Sequence, residues 1–131
     1  MDVSSVQESF ARCTLKSGFI DRFYEVFLAS HPGLAPMFAK TDMADQKGLL
    51  RKGISMVLLF SQGNAMATNA LDRIGETHSP RGMDIKPNMY AFWKNSLMQV
   101  VREFDAKLTP ETDAQWTKAL DNGINHIVSK R

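Results

Sequence analysis

The sequence predicts an all-α protein, and three observations carry that prediction. Apolar residues recur at spacings of three and four almost from end to end, and alternating runs of strand type do not occur. Helix-start and helix-stop chemistry falls between the periodic segments, at His31-Pro32-Gly33, Thr41-Asp42, Gly63, Lys86-Pro87 and Thr109-Pro110. There is no internal repeat, linker, phosphate loop or nucleophile motif, so the 131 residues are expected to form one domain, 1–131.

Taken in order, Val3, Val6, Phe10 and Cys13 mark a first amphipathic helix, and Gly18 marks a break before the second. The second, about Phe19 to Ser30, carries Phe19, Ile20, Phe23, Tyr24, Phe27 and Leu28, a face broad enough to be sandwiched in the core. Pro32 pushes His31 out of the helical region and ends it, leaving His31 as a helix-end residue. Pro36-Met37-Phe38 forms a short corner. Thr41 is expected to cap the next helix, with Asp42 and Asp45 facing the positive end of its dipole. Met43, Leu49, Leu50, Ile54, Val57 and Leu58 continue it to Gly63 as the longest element, with Lys47, Arg51 and Lys52 mostly on the other side. Residues Asn64 to Asn69 read as a polar connection or frayed turn. Leu71, Ile74 and His78 then share one face of a helix that Pro80 should end just past the histidine. Pro87 suits the first turn of the next helix, whose stripe is Tyr90, Trp93, Leu97, Val100, Val101 and Phe104. Thr109 caps the last, with Pro110 in its first turn and Trp116, Leu120, Gly123, Ile124 and Ile127 facing inward.

Composition excludes several classes. Sixteen basic and fourteen acidic residues are interleaved along the chain, and a net charge of +2 argues against nucleic acid as a partner. No apolar run of membrane-spanning length occurs, and the N-terminus MDVSSVQESF has neither a basic start nor an apolar signal core, so a cytoplasmic protein off the membrane is expected. A single cysteine, Cys13, fits a reducing compartment and reads as a small apolar residue of the first helix.

Chemistry concentrates at His78. On the apolar face of a helix's last turn, it points an imidazole lone pair inward. A lone inward histidine is usually a core residue bonded to a carbonyl. The His/Cys/Asp/Glu set that zinc requires is absent, whereas an iron that brings four porphyrin nitrogens needs one protein ligand.

Two stretches carry a resemblance. FYEVFLASHPGLAPMF, Phe23 to Phe38, and HSPRGMDIKPNMY, His78 to Tyr90, resemble corresponding segments of the globins, in particular bacterial single-domain haemoglobins and the globin part of flavohaemoglobins. The resemblance spans about Gly18 to Val128 and implies a globin-like fold of six to eight helices enclosing haem b. It makes His78 the proximal iron ligand, Phe38 the ring packed on the porphyrin, and Tyr24 the distal hydroxyl. Tyr24 would donate to a dioxygen ligand that takes up negative charge; as a core tyrosine bonded to a carbonyl it has an ordinary alternative.

On the long helix two placements remain open. The family's usual glutamine would be Gln46, which turns Lys47 and Arg51 towards the packed side. Leu49 over the iron instead sets Leu50 and Ile54 in the core, Gly53 against the porphyrin and Lys52 near a propionate, and the cost of buried charge favours it. Ile74 and Met83 would complete the wall, and Tyr90 would join the proximal network. The acidic residue that flavohaemoglobins add to that network falls at about Arg131, and the flavin- and nicotinamide-binding domains have no counterpart. His126 is expected to face solvent or a carbonyl. The resemblance therefore implies reversible binding of dioxygen, carbon monoxide or nitric oxide. It leaves open a nitric oxide dioxygenase served by a separate reductase, a haem-free interaction or sensing module, and pairing into a homodimer.

Overall fold

The computed structural model describes residues 3–79 and 85–130, and among these it has seven helices and no strand. They are α1 (Ser4–Leu15), α2 (Phe19–Ala29), α3 (Leu34–Met37), α4 (Met43–Ser61), α5 (Ala65–Thr77), α6 (Met89–Phe104) and α7 (Pro110–Ser129). Gly18 opens α2 from the left-handed region at φ 90°, a conformation that a side chain would strain. The expected order of elements holds, and the differences lie at their ends. Asp42, not Thr41, caps α4, accepting from the Ala44 and Asp45 amides. The segment expected as a polar connection is helical: Asn64 caps α5 by accepting from the Ala67 amide, and helix begins at Ala65. Pro87 lies in the turn before α6 instead of in its first turn. At 20 residues α7 is longer than the 19-residue α4.

Helix α2 lies against α6, α4 and α5 lie against each other and both against α7, and α1 rests on α6 and α7. The shared core contains Phe19, Phe23, Ile54, Leu58, Leu71, Leu97, Trp116 and Leu120, each essentially without exposed surface. Two glycines let helices approach closely. A Cβ at Gly123 would lie 2.7 Å from Val57 Cγ1, and one at Gly75 would lie 2.8 Å from the Ile127 carbonyl oxygen. Removing the side chain is what permits α7 to cross α4 and α5 there.

A buried polar cluster ties the first helix to the last. Asp105, 4% exposed just beyond α6, receives two bonds from the Arg12 guanidinium, at 2.7 and 2.9 Å, and one of 2.6 Å from the Ser9 hydroxyl. The Trp116 indole N–H donates to the same Ser9 oxygen at 2.9 Å, and the Lys107 amide completes the carboxylate's shell. The Arg12 bond chiefly, with those of Ser9 and Lys107, holds the carboxyl of Asp105 down at about 2.

Candidate functional site

Helices α4 and α5, joined through Gln62, Gly63 and Asn64, form a hairpin. Gln46 precedes that turn and His78 follows it by about fifteen residues, so each stands roughly 23 Å along its helix from the turn at ~1.5 Å per residue. Both therefore belong to the hairpin's open end.

His78 is the C-cap of α5. Its amide donates to the Ile74 carbonyl at 2.9 Å, and its own carbonyl accepts from the Ile85 amide at 2.9 Å. The backbone is thus held on both sides. Its Nδ1 lies 2.8 Å from the hydroxyl oxygen of Tyr90, a residue buried in the first turn of α6. Burial pushes the imidazole's pKa below the usual histidine range, so the neutral ring is favoured at physiological pH. If Nδ1 carries the proton and donates to Tyr90, Nε2 keeps its lone pair, and no hydrogen bond engages Nε2 among the described residues.

On α2, Tyr24 is 5% exposed between Phe23 and Phe38, with ring centroids 5.1 and 6.1 Å away. Its hydroxyl reaches the main-chain carbonyl of Gln46 at 3.4 Å, a long contact that uses the donor weakly. Desolvation raises its pKa, so the phenol stays protonated. Phe38 is half-buried and also packs on Phe27.

On α4 the charge burial expected with Gln46 turned inward does not occur. With Gln46 beside Tyr24, Lys47 is not driven into the core: it forms a 2.7 Å ion pair with Asp21 at the edge of α2, and Arg51 is exposed. The burial cost that favoured Leu49 over Gln46 is therefore not incurred. Leu49 is 62% exposed, whereas Leu50 is 7% exposed. Gly53 is half-buried with open space beside its Cα, Ile74 is half-buried against the core, and Lys52 is exposed without an ion pair among the described residues. Met83 lies outside the described residues.

Two further histidines complete the picture. His31 accepts from the Gly33 amide through Nδ1 at 2.9 Å and lies against Phe92, as expected of a helix-end residue. His126 corrects expectation, because its Nε2 meets Asp72 of α5 at 2.6 Å instead of solvent or a carbonyl. Asp72 carried no sequence signal except its place six residues before His78.

These groups fit a haem. No three His, Cys, Asp or Glu residues among those described could together hold a bare metal ion. What the site does contain is one oriented imidazole with an unused nitrogen, a protonated and under-used phenol against which Phe38 packs, and half-buried Ile74 one turn before His78 on α5. A porphyrin iron needs one protein ligand and an apolar pocket, and a nearby hydrogen-bond donor tunes what the iron binds.

Fold and site define a class, an all-α protein whose helix hairpin carries an imidazole at its open end with a buried phenol beside the facing helix. The chain belongs to the globin family: the family model described as Globin matches residues 21–127. It is also similar to a Pseudomonas aeruginosa protein whose crystal structure is described as structurally highly homologous to a human haemoglobin. The two are 37% identical with a TM-score of 0.93, over 98% of this chain and 96% of that one. No curated protein matches it. No described helix is long and apolar enough to cross a membrane.

Proposed function

We propose that this globin holds haem b through Nε2 of His78 and reversibly binds dioxygen and other diatomic gases. The observation that carries the reading is the 2.8 Å contact between His78 Nδ1 and Tyr90, which leaves the other nitrogen available. Held there, a haem would supply an iron able to take up a diatomic gas. Tyr90 accepts the Nδ1 proton and orients the ring, as groups around metal-ligating histidines commonly do. Tyr24 supplies an O–H donor in apolar surroundings, where a hydrogen bond to a ligand taking up negative charge is worth more than in water. Gln46 and Leu50 form the α4 wall beside Tyr24, Gly53 leaves room for a flat cofactor, Phe38 and Ile74 pack on it, and Leu49 and Lys52 lie towards its rim.

Visible absorption of the purified protein tests this as isolated, reduced, and reduced under carbon monoxide. An intense Soret band that shifts with carbon monoxide is expected. Failure to take up added haem would overturn the reading, as would a normally loaded His78→Ala variant with an unchanged spectrum.

A further inference from the structure

Helix α5 is held to α7 along one flank and presents His78 from another. Successive helical residues are 100° apart, so Leu71, Ile74 and His78 group around the core-facing side, while Asp72 and Gly75 lie on the neighbouring flank. Gly75 sits directly against the Ile127 carbonyl and Lys130. One turn earlier, Asp72 Oδ1 meets His126 Nε2 at 2.6 Å, and the side chains are 33% and 21% exposed. The His126 ring also lies 4.7 Å from that of Phe60, near the end of α4.

From this geometry we infer that the Asp72–His126 pair is a positioning device for His78. This rests on the reading of His78 as the iron ligand. The glycine contact sets how near α5 can come to α7, but being nearly featureless it does little to resist rotation of α5 about its own axis. A directional bond from His126 to the Asp72 carboxylate, off that axis, does resist it, and His78 six residues on would turn with any such rotation. Phe60 fixes the plane of the His126 ring, so the bond has one favoured direction. Asp72 does not lie on the face of α5 that carries His78.

The test compares His126→Leu, Asp72→Ala and His126→Gln in the full chain. Gln keeps an N–H donor for Asp72, whereas Leu keeps apolar bulk against Phe60 and loses the bond. Amide hydrogen exchange of α5 needs no haem. Protection from Leu71 to His78 is expected to fall about threefold in the Leu and Ala variants, the scale of a partly exposed ion pair, and to be largely retained in Gln. In haem-loaded ferrous protein, the iron–histidine vibration should shift in Leu and Ala and stay near wild type in Gln. Unchanged α5 exchange in Leu and Ala would overturn the inference, as would equal changes in Leu and Gln. A protein that takes up no haem would sink the proposed function alone, with exchange still deciding whether the pair holds α5.

Discussion

The Nδ1 atom of His78 lies 2.8 Å from the hydroxyl oxygen of Tyr90, across twelve residues of sequence and between the end of one helix and the start of the next. Because Tyr90 is buried in α6 while the backbone on both sides of His78 is hydrogen-bonded, the ring is held by groups from two elements. Tyr90→Phe removes the acceptor and leaves the shape. It is expected to cost about 1 kcal/mol of stability and to speed haem loss several-fold. Denaturant unfolding and haem transfer to a scavenging apoprotein measure the two effects, and unchanged haem loss would mean that the contact does not orient the ligand.

On α2, Tyr24→Phe should speed dioxygen dissociation about tenfold, the worth of one hydrogen bond in an apolar site, and alter carbon monoxide release much less. Gln46→Leu keeps the main-chain carbonyl that Tyr24 reaches but removes the side-chain amide of a half-buried residue, and is expected to change dioxygen release by more than about twofold if that amide faces the ligand. Leu49→Ala, at an exposed position, should change it less than about twofold. Stopped-flow ligand displacement separates these cases. A larger effect from Leu49 than from Gln46 would restore the placement that charge burial alone suggested.

Below about pH 4, acid should act on the cluster between α1 and α7. Asp105 is held at about 2, below the ordinary carboxylate value near 3.8, so the folded state binds its proton less readily than the unfolded chain. Its contribution is present above about pH 4 and is lost as pH falls from there towards 2, amounting to about 2 kcal/mol. In Asp105→Asn this part of the acid dependence should vanish, and neutral-pH stability should fall by about 2 kcal/mol because Arg12 loses its carboxylate. Urea unfolding at pH 7, 4 and 3 reads both changes. An acid dependence identical to wild type would place the sensitive group elsewhere.

Close approach of α4 and α7 is tested by Gly123→Ala. Helix propensity would gain about 1 kcal/mol, but the new methyl meets Val57, a β-branched side chain with one favoured rotamer in a helix, and overpacking costs about 1–3 kcal/mol. Net destabilisation of about 1 kcal/mol is expected, with partial recovery when Val57→Ala is added. Thermal unfolding of the single and double variants decides it, since an absence of recovery would mean that the strain is not at this crossing.

The sequence by itself determined the helical class, the order of the elements and the two segments that mark the globin family. Periodicity and end chemistry are local, and each helix records its own buried face in the spacing of its apolar residues. The place of His78 at a helix end was legible because a proline follows it and an apolar stripe leads to it, and the nearness of Tyr24 to Phe38 was legible through their shared segment. Only the tertiary structure decided how the faces meet. That Lys47 finds Asp21, that Gln46 stands by Tyr24, that Asp72 meets His126, and that Asp105 gathers Arg12 and Ser9 all depend on the rotation and spacing of two helices relative to each other. A single helix's pattern contains neither quantity. They are set where the surfaces of two helices meet, as Val57 meets the bare backbone of Gly123, and they determine which polar groups come within hydrogen-bonding distance.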